Sequence, residues 1–125
     1  MSDDIRRLPD TELEVMQALW ECASPAARSD IEEKLQKTHP MAVTTLLTLL
    51  TRLSERGFVA IEKEGRVSRY SPLVSRREYL ASQSRRFVDK LCGGSIPAFA
   101  AALCDGGLSR EDIDELRRLL EKGEL

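Results

Sequence analysis

Between residues 41 and 57 the chain reads MAVTTLLTLLTRLSERG, and this stretch limits the possible folds more than any other. Val43, Leu46, Leu49, Leu50 and Leu53 recur at helical spacing, so one side of a helix here must meet a core. Thr44, Leu47, Thr48 and Thr51 fall on another side, and Arg52 extends the edge formed by Thr45 and Thr48. A solvent face made mostly of threonines is unusual, because Thr is a middling helix former and surfaces favour Glu, Lys or Gln. Short side chains that pair a hydroxyl with a methyl, next to an arginine, suit a helix pressed closely against a partner. DNA is a natural candidate, since Thr can touch a thymine methyl or a phosphate without holding the helix away. Taken alone, the helix fits a threonine-rich surface with no partner equally well.

The residues that follow shift that balance. Gly57 can close the helix, and residues 58–61 (FVAI) read as a strand. Glu64, Gly65 and Arg66 form a tight-turn signal, and residues 67–70 return as a second strand before Pro72 stops it. A helix followed at once by a short hairpin with arginines at its tip and return strand predicts a winged helix-turn-helix. Arg66 and Arg69 would then sit where a wing meets a DNA backbone. An ordinary exposed hairpin is the alternative, and the helix before it weighs against that.

Upstream, residues 1–7 are polar and predicted to fray. Asp10 or Thr11 is the cap candidate for a first helix whose apolar stripe is Leu13, Met16, Leu19 and Trp20, with Trp20 in the core. Residues 23–26 break that helix, and a second, shorter one is expected over residues 27–37 with Ile31 and Leu35 inward. Thr38, His39 and Pro40 end it and lead into the threonine-rich helix, which gives tri-helical order. His39, the only histidine, reads as an exposed loop residue.

Beyond the wing, Ser75 and Glu78 have capping-box spacing and open a long helix with Leu80, Ser84, Phe87, Val88 and Leu91 on one face. Arg76, Arg77, Arg85 and Arg86 decorate the rest, and the first two, directly after the wing, could reach a phosphate. Gly93 and Gly94 end this helix. Ile96, Phe99, Ala100 and Leu103 form a second amphipathic stripe, and Ser109 with Asp112 starts a last helix carrying Ile113, Leu116, Leu119 and Leu120. These stripes hold more apolar surface than a short helical hairpin can bury, so a second copy of the chain is expected to cover them. The division predicted is a winged-helix domain over residues 1–73 and a helical dimerisation domain over residues 74–125.

The formal net charge of −2 looks wrong for a nucleic-acid binder, but the charge is unevenly placed. Residues 41–90 hold 10 Lys or Arg against 5 Asp or Glu, while both flanks are acidic. That is a localised basic footprint, predicting modest, salt-sensitive affinity for DNA. No apolar run approaches the roughly 18 residues of a membrane span, and no secretory signal is evident, so a cytoplasmic protein is expected. Cys22, Cys92 and Cys104 are too scattered for a disulfide framework or a zinc site, with buried free thiols the commoner state. Cys92 and Cys104 suggest thiol sensing as a regulatory hypothesis. There is no phosphate-binding glycine loop, zinc-protease helix or nucleophile elbow, so neither cofactor nor catalysis is expected. The competing class is a winged-helix module for protein–protein contact, to which the acidic flanks would point.

In their order and spacing, LPDTELEVMQALW at 8–20, TLLTRLSERGFV at 48–59 and EGRVSRYSPLVSRREY at 64–79 resemble the penicillinase repressor family. KLCGGSIPAFAAAL at 90–103 and LSREDIDELRRLL at 108–120 are similar to its dimerisation region. The resemblance covers residues 8–121 and implies a bacterial repressor: a winged helix on two-fold symmetric operator DNA, with a helical dimerisation domain. It implies DNA contacts at Thr44, Thr45, Thr48 and Arg52 on the helix and Arg66 and Arg69 on the wing. Leu47 stands where the family carries an arginine and would meet a thymine methyl instead. One branch is released when a membrane-bound sensor protease triggers cleavage, and the matching bond here joins Ala102 to Leu103. The family's asparagine before that bond is alanine in this chain, which argues against such control. The copper-responsive branch has a C-terminal cysteine cluster, and this chain ends in EKGEL without one.

Overall fold

The computed structural model describes residues 5–123. Its elements are α1 (Asp10–Trp20), β1 (Ala26–Ala27), α2 (Arg28–Thr38), α3 (Val43–Glu55), β2 (Val59–Glu64), β3 (Val67–Pro72), α4 (Arg76–Leu91), α5 (Ile96–Asp105) and α6 (Arg110–Lys122). Contacts divide the chain into one unit over Met1–Ser82 and another over Gln83–Leu125, so the first unit runs on past the boundary expected after residue 73.

The first unit is a winged helix. Leu46, Leu49, Leu50 and Leu53 of α3 are buried with Val15, Met16 and Leu19 of α1 and Ile31 and Leu35 of α2. Burying each such side chain contributes about 1.5–3 kcal/mol, so the apolar spacing alone largely determines which face of α3 turns inward. Val43, grouped with the inward stripe by its spacing, is 40% exposed because it sits in the first turn, beyond the packed part of the helix. Trp20 is half-buried against the core and its indole N–H donates to the Val74 carbonyl at 2.9 Å.

The end of α3 is set by Gly57, whose φ of +82° is left-handed backbone that glycine adopts without penalty. The Gly57 N–H bonds the Ser54 carbonyl and the Phe58 N–H bonds the Leu53 carbonyl at 2.9 Å. This pairing satisfies carbonyls that a helix end leaves open and drops the buried Phe58 onto the core. The chain then enters β2 and β3, antiparallel with Ile61 opposite Tyr70 and Glu64 opposite Val67. Gly65, with φ of +65°, takes the first place of the two-residue connection, where a tight hairpin needs positive φ. Pro72 is the last residue of β3, opposite Val59, and not a stop before it. A two-residue strand, β1, pairs with β3 through Ala26 and Tyr70, making a sheet of order β1-β3-β2 that the sequence reading did not contain.

Two further expectations need correction. Asp10 and Thr11 lie inside α1 or at its first residues, and Pro9 holds the cap position with its carbonyl accepting from Leu13 at 2.9 Å. Of the segment expected to fray, residues 1–4 lie outside the described residues, whereas Ile5 packs on the core and its carbonyl accepts from the Ser82 hydroxyl. On the α4 face expected to be covered by a second copy, Leu80, Phe87 and Leu91 are 49%, 40% and 75% exposed in the single chain, while Val88 is buried. Tyr79 and Ser82, which the sequence did not single out, are buried too, and Tyr79 joins the winged-helix core.

The two capping-box expectations hold. The Ser75 hydroxyl accepts from the Glu78 N–H at 3.0 Å while the Glu78 carboxylate accepts from the Ser75 N–H at 2.9 Å. Ser109 and Asp112 form the same reciprocal pair at the start of α6. In the second unit Phe87 and Phe99 meet edge to face with centroids 5.9 Å apart. Ile113 and Leu119 are half-buried there, and Ile96, Leu116 and Leu120 are exposed.

Candidate nucleic-acid interface

The exposed side of α3 begins as a consequence of the buried one. With four leucines turned inward, Thr44, Thr45, Leu47, Thr48, Thr51 and Arg52 are left on the surface, all of them exposed. Two of the threonines are held by their own helix: the Thr48 hydroxyl donates to the Thr44 carbonyl and the Thr51 hydroxyl to the Leu47 carbonyl, both at 3.0 Å. With its proton engaged, the Thr48 oxygen turns acceptor lone pairs outward. The surface is therefore short-chained, partly apolar through the methyls and Leu47, and edged by one cation.

Arg56, one turn beyond Arg52, has a different task. Its guanidinium meets the carboxylate of Glu12 at 3.0 Å, and Glu12, though charged, is only 2% exposed in α1. Arg56 also occupies the C-cap of α3, where a cation complements the negative end of the helix. It locks α3 to α1 and fixes the angle at which the threonine face is presented.

The wing separates its two candidate arginines. Arg66, in the turn, lines a hollow of about 330 Å³ together with Leu47 of α3 and Arg28 and Ser29 at the start of α2. Ser68 and Tyr70 of β3 line the same hollow. Arg69 alternates to the other side of β3, sits opposite Glu62, and lies 3.9 Å from the Glu64 carboxylate. Arg76 is elsewhere again, in a hollow with Trp20 and Glu21 at the end of α1 and Lys34 and Thr38 of α2. The structure thus brings Leu47 and Arg66 together and leaves Arg69 and Arg76 apart from them. Arg28, Ser29 and Ser68 were not singled out from the sequence. Their signal was an arginine and a serine at the first turn of the helix preceding the threonine-rich one, the place where helix-turn-helix proteins cross a DNA backbone.

Other chemistry is sparse. Among the described residues no group of three or more His, Cys, Asp or Glu could hold a metal ion. Cys104 is exposed and Cys22 and Cys92 are half-buried, so the expectation of buried thiols is not met. Partial burial, reinforced by the carboxylate of Asp30, raises the thiol pKa of Cys22, whose Sγ donates to the Ala18 carbonyl at 3.3 Å. His39 is exposed at the end of α2. No single helix among the described residues is long and apolar enough to cross a membrane.

Comparison with known proteins adds four findings. The family model described as penicillinase repressor matches residues 8–122. The chain is 33% identical to the penicillinase repressor of Bacillus licheniformis, over 94% of this chain and 92% of that protein. It is 28% identical to the methicillin resistance regulatory protein MecI of Staphylococcus aureus strain N315, over 98% of this chain and 99% of that one. Among solved structures it is similar to Bacillus licheniformis BlaI, studied in solution as a monomeric form in complex with the blaP half-operator. That match has a TM-score of 0.50 and 35% identity, covering 60% of this chain and 90% of the other.

Proposed function

Because this chain belongs to the penicillinase repressor family, we propose that it is a transcriptional repressor that binds two-fold symmetric operator DNA as a homodimer. The observation that carries this reading is the α3 face, exposed along its length, close-fitting, and continuous at Leu47 with a groove holding Arg66. Each protomer would lay α3 in a major groove, with the two helices about 34 Å apart along the duplex, one helical turn. Thr44, Thr45, Leu47 and Thr48 face base edges. Leu47 and the threonine methyls suit thymine methyl groups, and the Thr48 oxygen suits an amino donor of adenine or cytosine. Arg52 and Arg66 position the protein on phosphates, which supplies affinity without sequence information.

The exposed apolar residues Leu80, Phe87, Leu91, Ile96, Leu116 and Leu120 support a second copy as the partner that covers them. Val88, which is buried, and Phe99, Leu103, Ile113 and Leu119, which are half-buried, complete the proposed dimerisation set. The peptide bond between Ala102 and Leu103 lies within α5, with the Ala102 carbonyl accepting from Gly106 at 2.8 Å. Helical, and lacking the family's asparagine, this bond is poorly suited to release through a sensor protease.

Footprinting on the DNA upstream of the chain's own gene tests the proposal. Two protected half-sites, centred one helical turn apart, are expected. Protection of a single half-site at every concentration would rule out the symmetric dimer on DNA.

A further inference from the structure

The groove between the wing and α2 goes unused by helix-to-major-groove contacts, and its lining is specific. Arg28 and Ser29 enter from the first turn of α2, Arg66 and Ser68 from the wing, and Leu47 from the edge of the α3 face. Two cations and two hydroxyls thus converge from elements far apart in sequence on one concavity of about 330 Å³. Arg28 engages Glu32 through Nε at 2.9 Å, and a guanidinium has further N–H donors at its terminal nitrogens for a second partner. The carboxylates nearest the groove are engaged: Glu32 by Arg28, Asp30 by the Ala27 N–H at 3.1 Å, and Glu64 by Arg69 on the other side of the strand.

Resting on the DNA-binding reading above, we infer that this groove is a clamp for one sugar–phosphate unit of the DNA backbone, with Arg28 and Ser29 on one jaw and Arg66 and Ser68 on the other. A strand that passes over α3 at Leu47 runs directly into the groove. Its phosphate takes the arginine and serine donors, beside the base contact made by Leu47. Arg28 and Ser29 are therefore positioning residues for the operator complex, independent of sequence. The clamp also fixes the height of the wing over the duplex, and with it how deeply the threonine face enters the major groove.

The test uses the full chain, a duplex from upstream of its gene and a scrambled duplex, with binding followed by anisotropy at several salt concentrations. Arg28→Ala is expected to weaken both duplexes by a similar factor, about five- to tenfold, and to reduce the salt slope by about one. Ser29→Asp separates binding from folding: an acid in the first turn of a helix favours the fold, while its charge repels a phosphate. Its melting temperature should stay level or rise as affinity falls. Arg69→Ala removes the same charge from the opposite face of the wing and should change affinity by less than about twofold.

If the wild type binds and both groove variants bind equally well, the clamp is wrong and the operator reading stands. If the wild type binds neither duplex, the operator reading itself fails and the clamp with it. Stabilisation of wild type but not Arg28→Ala by inorganic phosphate, with unchanged DNA affinity, would make the groove a free-anion site and overturn the inference.

Discussion

The backbone N–H of Leu8 donates to the phenolic oxygen of Tyr79 at 2.9 Å, a buried bond between residues 71 apart in the chain. Tyr79 comes from α4, and its ring also meets Trp20 and Phe58 at centroid distances of 5.9 and 6.0 Å. The first turns of α4 are thus part of the winged-helix core, and the helix that leaves it carries the apolar surface proposed for dimerisation.

Tyr79→Phe keeps the ring and strands the buried Leu8 N–H. The expected cost is about 1–2 kcal/mol, seen as a melting temperature lower by about 4–8 °C. An unchanged melting temperature would mean that the bond adds nothing to stability.

The Glu12–Arg56 pair should respond asymmetrically. Removing one partner of a fully buried pair costs about 3–5 kcal/mol. The Arg56 side chain is 32% exposed, so solvent screening brings Arg56→Ala down to about 2 kcal/mol. Replacing both by leucine should recover most of that, since no unpaired charge is left inside. Denaturant midpoints of the three variants measure this, and a double variant no better than Arg56→Ala would contradict it.

These two contacts also mark where sequence reading stops. Gly57, the glycine of the hairpin turn and the serine caps at Ser75 and Ser109 act over a few residues, so their chemistry is visible in the chain. So is the α3 core face, because four leucines at helical spacing leave one solution. Glu12 could not be placed inside from its own helix, since its partner lies in another element and carboxylates usually face water. β1 is two residues long and has no period to read. In α4 two faces compete, and spacing alone does not say whether Tyr79 or Leu80 meets the nearer core. At the interface, the threonine face and Arg66 were legible, while the groove was not: Arg28 and Ser29 join it only when the wing folds back toward α2.

Acid should loosen the start of α4. The Ser75 backbone N–H, and then its hydroxyl, bond the Glu78 carboxylate and hold its pKa below the ordinary glutamate value. A depressed carboxylate contributes stability above its unfolded pKa and loses it as pH falls through the lower, folded one. Amide exchange at residues 76–79 should therefore quicken, relative to α3, below the ordinary glutamate range. In Glu78→Gln that pH dependence should vanish, and its persistence would assign the change to another group.

Leu91, at 75% exposure, can be changed without disturbing a core. Leu91→Asp is expected to shift light-scattering mass from dimer to monomer and to weaken binding to a two-half-site duplex by at least about tenfold, through lost bivalency. A variant that stays dimeric with full affinity would move the interface away from this end of α4.

Most direct is an anisotropy titration of the full chain against the DNA upstream of its own gene and a scrambled duplex, at two salt concentrations, repeated with Arg52→Ala and Thr48→Ala. The account predicts tight, salt-sensitive binding to the native duplex and much weaker binding to the scrambled one. Arg52→Ala should weaken both, and Thr48→Ala should narrow the gap between them. Equal wild-type binding to the two duplexes, or an equal loss on both from Thr48→Ala, would contradict a threonine face that reads sequence.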